Sequence, residues 1–172
     1  MTKQDDALLD DAGMIDAFGA LSLVMLNEAP LRHAWRVNFV ANFFIGPVYR
    51  QLDERFGVSR PEFVILYCLD QRAALVARDI CRVSGLPKNS ISRAVSDLLR
   101  KGLIEREVDP TDKRAKLLSL TEAGRRMLGR INPIMQERQA RMRAVLGAED
   151  AAEFDRLLRK VVYGMPDWVV AD

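Results

Sequence analysis

The spacing of apolar residues changes from a helical period to a strand period in the middle of the chain. Over residues 87–101, Ile91, Ala94, Val95, Leu98 and Leu99 fall on one face of a helical wheel, and Gly102 is suited to end that helix. Two short runs of strand character follow, Ile104–Val108 and Lys116–Leu120, separated by a turn-forming segment. The sequence therefore predicts a helix that leads directly into a β-hairpin.

Helical spacing also precedes this block. Residues 11–28 carry apolar side chains close to helical spacing, which predicts one helix, and Pro30 marks a break after it. Residues 32–56 are apolar over a wide arc, which predicts a helix buried on more than one side. A kink is expected at Pro47, because proline removes a backbone donor and crowds the preceding turn.

Two shorter helices are predicted between this stretch and the hairpin. Ser59 and Glu62 have the spacing of a capping box, so a helix should begin there and run to about residue 71. The next should cover residues 76–84 and stop at Gly85.

The hairpin is expected to lead into long helices. Thr121 can cap a helix that extends to about residue 146, with a kink or break at Pro133. Gly147 should separate it from a last helix over residues 149–163.

The helix over residues 87–101 has a polar face suited to DNA. Asn89, Arg93, Ser96 and Arg100 lie opposite the apolar face, with Ser90, Ser92 and Asp97 at its flanks. Short hydrogen-bonding side chains and arginines can read base edges in a major groove and bind phosphate. The helix that ends at Gly85 lies only a few residues upstream, as in a helix-turn-helix. The alternative is an ordinary amphipathic helix with a solvated polar face.

The hairpin tip adds a second basic element. Lys113 and Arg114 lie in the turn, Lys116 follows on the returning strand, and Asp112 could hold the arginine or a neighbouring backbone group in place. A basic hairpin tip can reach a minor groove, where the negative potential favours arginine. The alternative is a solvated turn.

These segments resemble the MarR family. The resemblance rests on residues 102–106 (Gly-Leu-Ile-Glu-Arg), 109–114 (Asp-Pro-Thr-Asp-Lys-Arg), 118–124 (Leu-Ser-Leu-Thr-Glu-Ala-Gly) and 90–98, and it covers roughly residues 32–163. It implies a mainly α-helical protein with a small β-hairpin wing, in which a winged helix-turn-helix core is flanked by long dimerisation helices. It places Ser90, Ser92 and Arg93 on the DNA-facing helix and Arg114 in the minor groove. The residues expected to contact DNA are Lys88, Asn89, Ser90, Ser92, Arg93, Ser96, Arg100, Lys113 and Arg114, with Asp112 as wing support.

The resemblance also predicts the domain organisation. Residues 1–30 form an N-terminal helical arm beyond the family's usual start, residues 31–58 and 121–172 a helical dimerisation region, and residues 59–120 the DNA-binding domain. Apolar side chains over residues 131–162 exceed what one winged domain can cover, so a homodimer on a palindromic double-stranded operator is expected. The alternative is a monomeric bundle that packs them internally.

A small-molecule effector is implied by the same resemblance. The candidate pocket residues are His33, Arg36, Phe39 and Phe43, with Trp35 and Asn42 beside them. Aromatic walls and a cation suit a small anionic aromatic compound, and an acyl-CoA thioester is a second candidate. The alternative is that the phenylalanines belong to the core. The predicted function is thus a dimeric, sequence-specific transcriptional regulator. The resemblance implies a repressor released by such an effector, and the alternative is an activator.

Composition and motifs argue against other classes. The formal net charge is +2, but residues 1–31 carry six acids against Lys3 and sum to −5, which leaves +7 on the remainder. No glycine-rich phosphate loop, nucleophile elbow or metal-ligand cluster is present in the sequence, so neither an enzyme nor a cofactor or metal site is expected. No apolar run approaches a membrane span and no signal peptide is evident, so a cytoplasmic protein is expected. Cys68 and Cys81 are expected to be buried, inert thiols, and the alternative is that they are redox sensors. The competing hypothesis is a winged-helix protein-interaction module without specific DNA binding.

Overall fold

The computed structural model describes residues 10–110 and 112–167. The first nine residues of the expected N-terminal arm, Thr111 in the wing turn and residues 168–172 of the expected dimerisation region lie outside the described residues. The chain divides into two compact units, one up to Gln51 and one from Leu52 onwards.

The first unit begins with a short capped helix. The Asp10 carboxylate accepts a hydrogen bond from the Gly13 amide at 3.0 Å and starts α1, Asp11–Phe18. Gly19, at φ +79°, ends α1, and a single turn, α2 (Leu21–Leu23), continues into a π-helical turn over Val24–Glu28. The prediction of one helix over residues 11–28 is therefore wrong, because the positive φ at Gly19 breaks it.

A long helical segment follows. It consists of α3 (Arg32–Val40), a π-helical turn (Ala41–Ile45) and α4 (Gly46–Phe56). The π-helical turn ends just before Pro47, which has no amide hydrogen to donate. The distortion that was predicted near Pro47 as a kink is therefore a π-helical turn. The helical prediction for residues 32–56 is confirmed. The predicted burial on more than one side is wrong for α3, which has no buried residue.

The second unit contains the helix-turn-helix. The helix α5 covers Arg60–Gln71, and its capping box is formed, because Ser59 N donates to Glu62 Oε2 at 2.8 Å. The next two helices are α6 (Ala77–Ser84) and α7 (Lys88–Arg100). Gly85, at φ +63°, donates its amide to the Cys81 carbonyl and closes α6, as predicted.

The wing is a three-stranded antiparallel sheet. Strands β2 (Ile104–Val108) and β3 (Lys116–Leu120) have the predicted bounds. A third strand, β1 (Leu75–Val76), pairs with the other side of β3 and gives the order β1-β3-β2. The sequence did not predict β1, since two residues cannot show a strand period.

The last helix, α8, spans Glu122–Gly164. Thr121 caps it as predicted, accepting from the Gly124 amide at 3.1 Å. The sequence predicted a kink or a break at Pro133. The backbone remains helical through Pro133, so the helix does not break there. Gly147, at φ +73° and ψ 179°, interrupts the helix where a separation was predicted.

The core of the second unit is formed where α5, α6, α7, the sheet and the start of α8 meet. Its largest fully buried side chains are Leu52, Val58, Ile65, Leu66, Ile80, Ile91, Leu98, Leu118, Leu128 and Ile131. Ile91, Ala94, Val95 and Leu98 of α7 are all buried, so the opposite face of α7 points to solvent.

Candidate nucleic-acid interface

Helix α7 carries seven of the nine predicted DNA-contacting residues. Six of them are exposed and Ser90 is half-buried; the exposed set is Lys88, Asn89, Ser92, Arg93, Ser96 and Arg100. Their orientation follows from the buried face opposite. The helix can therefore present hydroxyl, amide and cationic groups together to an external ligand.

Some of these side chains already have a partner among the described residues, and others do not. Arg100 forms a salt bridge with Asp97 at 2.6 Å, and the Ser96 hydroxyl donates to the Ser92 carbonyl at 3.1 Å. Within the described part of the chain, no carboxylate lies within 4 Å of the Arg93 guanidinium. Arg93 is therefore better placed than Arg100 to bind a new anionic partner.

The wing turn is held by its aspartates. The backbone amide of Arg114 donates to Asp112 Oδ1 at 2.9 Å, and the Asp112 amide donates to Asp109 Oδ1 at 3.3 Å. The Ala115 amide closes the turn on the Asp112 carbonyl at 2.8 Å. Asp112 thus supports the backbone at Arg114 and leaves the arginine side chain exposed.

A residue of α6 joins the helix to the wing. Arg78 lines one depression with Lys88 and Ser92 of α7, and a second with Asp112 and Arg114 of the wing. The two basic elements are therefore neighbours across the first turn of α6. Arg78 was not predicted as a site residue, because nothing in its local sequence pattern distinguishes it from a solvated charge on a helix.

A third depression lies between α7 and the sheet. Its polar lining comes from Ser92 and Ser96 of α7, Arg106 of β2 and Lys116 of β3. Lys116 was predicted as part of the basic hairpin and Arg106 only as part of the motif over residues 102–106, and neither was predicted to contact DNA. The register of the two strands is the signal that could have found them.

The candidate effector residues all lie in the first unit. Phe39 and Phe43 form an aromatic cluster with Phe18 of α1, with ring centroids 4.5–4.9 Å apart. Arg36 donates from Nε to the Leu26 carbonyl at 2.8 Å and from a terminal nitrogen to Asn27 Oδ1 at 3.1 Å, while His33 is exposed. The packing of Phe18 on the two phenylalanines was not predicted.

The two cysteines are half-buried rather than buried, so the sequence expectation overstated their enclosure. Burial raises the pKa of the Cys68 thiol, which keeps it protonated near neutral pH.

Two absences hold for the described ranges. In them, no group of three or more histidine, cysteine or acidic side chains is arranged to hold a metal ion. Nor does any helix there combine the length and apolar character needed to cross a bilayer.

The chain is similar in sequence to known proteins. The family model described as MarR family matches residues 56–115. Two Bacillus subtilis regulators of the HTH type are similar: YkoM is 31% identical over 104 residues (60% of this chain and 68% of YkoM), and YwaE is 26% identical over 106 residues (62% of each chain). An HTH-type transcriptional repressor of Mycobacterium bovis is 28% identical over 105 residues, covering 61% of this chain and 76% of the repressor.

A solved structure extends the likeness to the fold. The PcaV transcriptional regulator of Streptomyces coelicolor, in complex with its natural ligand, superposes with a TM-score of 0.64 at 26% identity, covering 81% of this chain and 96% of PcaV.

The fold and the basic surface define a winged helix-turn-helix protein of the DNA-binding class. More narrowly, the chain belongs to the MarR family of transcriptional regulators.

Proposed function

We propose that this protein is a dimeric, sequence-specific transcriptional repressor that dissociates from its operator when it binds a small-molecule effector. The observation that carries the proposal is the continuity of two exposed basic elements, the outer face of α7 and the wing at Arg114, through Arg78. One element fits a major groove and the other the adjacent minor groove.

The roles of the residues follow from their chemistry. Asn89, Ser92 and Arg93 read base edges, since amide, hydroxyl and unpaired guanidinium groups discriminate among them. Lys88 and Lys113 bind phosphate, and Arg114 enters the minor groove on a turn held by Asp112. The contact surface also includes Ser90, Ser96 and Arg100. The Arg100 guanidinium forms a salt bridge with Asp97 as well.

Repression and effector release are supported by the relatives. The Mycobacterium bovis relative is named a repressor, and PcaV was solved with its natural ligand. We propose His33, Arg36, Phe39 and Phe43 as the region that responds to an anionic aromatic or acyl-CoA-like compound. The cytoplasm is the compartment in which we expect the protein to act.

The proposed organisation retains an arm over residues 1–30, a dimerisation region over 31–58 and 121–172, and a DNA-binding domain over 59–120. The homodimer places two α7 helices against the half-sites of a palindrome.

The experiment is a selection of bound sequences from random duplex DNA, followed by titration of wild type and Arg114→Ala on the selected site. We expect tight binding that weakens steeply with salt, and a large loss in the variant. Arg141→Ala is the matched control, because Arg141 is an exposed arginine of α8 paired with Glu137.

Recovery of no sequence, together with salt-independent or absent binding to any duplex, contradicts the proposal. The protein-interaction alternative predicts instead that Arg114→Ala behaves like Arg141→Ala on DNA.

A further inference from the structure

The two faces of the wing sheet differ in charge. Arg106 pairs with Leu118, and Val108 pairs with Lys116. Directly opposed residues of an antiparallel pair share a face, and neighbours along a strand alternate. Both cations therefore lie on the face that carries the buried Leu118.

The other face is acidic at the same level. Glu105 pairs with Ser119 and Glu107 pairs with Leu117, so both carboxylates project from the side opposite Arg106. The register thus separates two positive from two negative charges across one thin sheet.

The basic face borders a defined concavity. A depression of about 280 Å³ lies between the sheet and α7, and its lining includes Arg106, Lys116, Ser92 and Ser96. No carboxylate lines it, and among the described residues neither cation has a carboxylate within 4 Å. The Ser96 hydroxyl donates to the Ser92 carbonyl, so the groups left to bind an anion are the two cations and the Ser92 hydroxyl. Without a local counter-ion, they form a suitable environment for a phosphodiester.

The geometry of duplex DNA supplies the ligand. This step rests on the proposed function, in which α7 occupies a major groove and the wing tip the adjacent minor groove. Adjacent grooves are separated by one sugar–phosphate strand, so that strand must pass between α7 and the wing. We infer that Arg106 and Lys116 bind the phosphates of this intervening strand in the depression between α7 and the sheet.

The test measures how many phosphates are neutralised. A fluorescently labelled duplex of mixed sequence is titrated with each protein over a salt series, and log K is plotted against log salt concentration. The slope is negative, and we expect Arg106→Gln and Lys116→Gln each to make it less steep by about 0.9, and the double variant by about 1.8. Arg106→Lys should retain the wild-type slope, since it keeps the charge.

A matched double variant controls for net charge. Arg141→Gln with Lys160→Gln removes the same two residue types from exposed positions of α8 and should leave the slope unchanged. Circular dichroism melting checks that each variant is folded.

The selected operator provides a second readout. Phosphate contacts carry no direct sequence information, so the ratio of operator to mixed-sequence affinity should be the same in wild type and the double variant. A folded double variant with the wild-type slope overturns this inference alone. A wild type that binds no duplex overturns the proposed function and this inference together.

Discussion

Glu62 is the one charged side chain that is buried among the described residues, with 3% of its surface exposed. Its Oε2 accepts from the Ser59 amide and hydroxyl at 2.8 and 2.9 Å, and its Oε1 accepts from Lys101 Nζ at 2.5 Å. Lys101 also donates to the Gly57 carbonyl at 2.6 Å. One carboxylate thereby connects the start of α5 to the C-terminal end of α7.

Glu62→Gln should destabilise the protein. The amide keeps one acceptor, but it loses the charge opposite Lys101 and places a donor where an acceptor is needed. We expect the free energy of unfolding in urea to fall by about 1–3 kcal/mol.

Glu137→Gln is the control, since its salt bridge with Arg141 is exposed, and it should cost no more than about 0.5 kcal/mol. Equal losses of unfolding free energy in the two variants would show that the buried network stabilises the protein no more than an exposed salt bridge does.

Only part of this network could be predicted from the sequence. Ser59 and Glu62 are three positions apart, so their capping box was visible as a pattern. Lys101 is far along the chain from Glu62, and only the packing of α5 on α7 brings it there. For the same reason the sequence did not predict Arg78 or Arg106 in the site, nor that Lys116 of the hairpin lies beside α7, because these positions depend on neighbours in space.

Among the elements, the junction between the sheet and α8 is the most tightly constrained. A Cβ added at Gly124 would lie 2.1 Å from the Leu103 carbonyl oxygen and 3.1 Å from Leu120 Cδ2. The Leu103 oxygen also accepts from the Thr121 amide at 3.2 Å, so it cannot move without disturbing the start of α8.

Gly124→Ala should therefore separate α8 from the sheet and cost about 1–3 kcal/mol of unfolding free energy. Gly129→Ala lies in the same helix with no neighbouring atom within 4 Å of the added carbon. It should be neutral or stabilise by about 0.5–1 kcal/mol, because alanine favours a helix interior. Thermal and urea unfolding compare the two, and a larger loss at Gly129 would contradict the packing argument.

Elements with a clear start or stop signal were predicted well. Gly85, Thr121 and Gly147 marked real boundaries, and both long strands of the wing had their predicted bounds. The break at Gly19 was missed because the apolar spacing continues across it. Strand β1 owes its existence to the free edge of β3, which is a tertiary property.

At the scale of the whole molecule, the end of α8 leaves an apolar stripe uncovered. The side chains spaced three and four apart along it are Phe154, Leu157, Leu158, Val161 and Val162, each 37–47% exposed. Such a stripe is typical of a helix that packs against another helix, and it supports the proposed homodimer.

Leu158→Lys should weaken that dimer, because it places a charge in the middle of the stripe. Sedimentation should show a shift toward monomer, and operator affinity should fall by at least tenfold since one half-site alone is bound. Ala152→Lys puts the same side chain on the opposite face of the helix and should remain dimeric. A Leu158→Lys protein that stays dimeric would exclude the stripe from the interface.

The charge division across the wing sheet also acts before any contact is made. Two positive charges on one face and two negative charges on the other form a dipole across the sheet. Near a polyanion this dipole experiences a torque as well as an attraction, so the domain turns its α7 side toward the duplex while still diffusing. The strand register therefore raises the fraction of collisions that arrive in a productive orientation, a kinetic advantage that diminishes as salt shortens the range of the field.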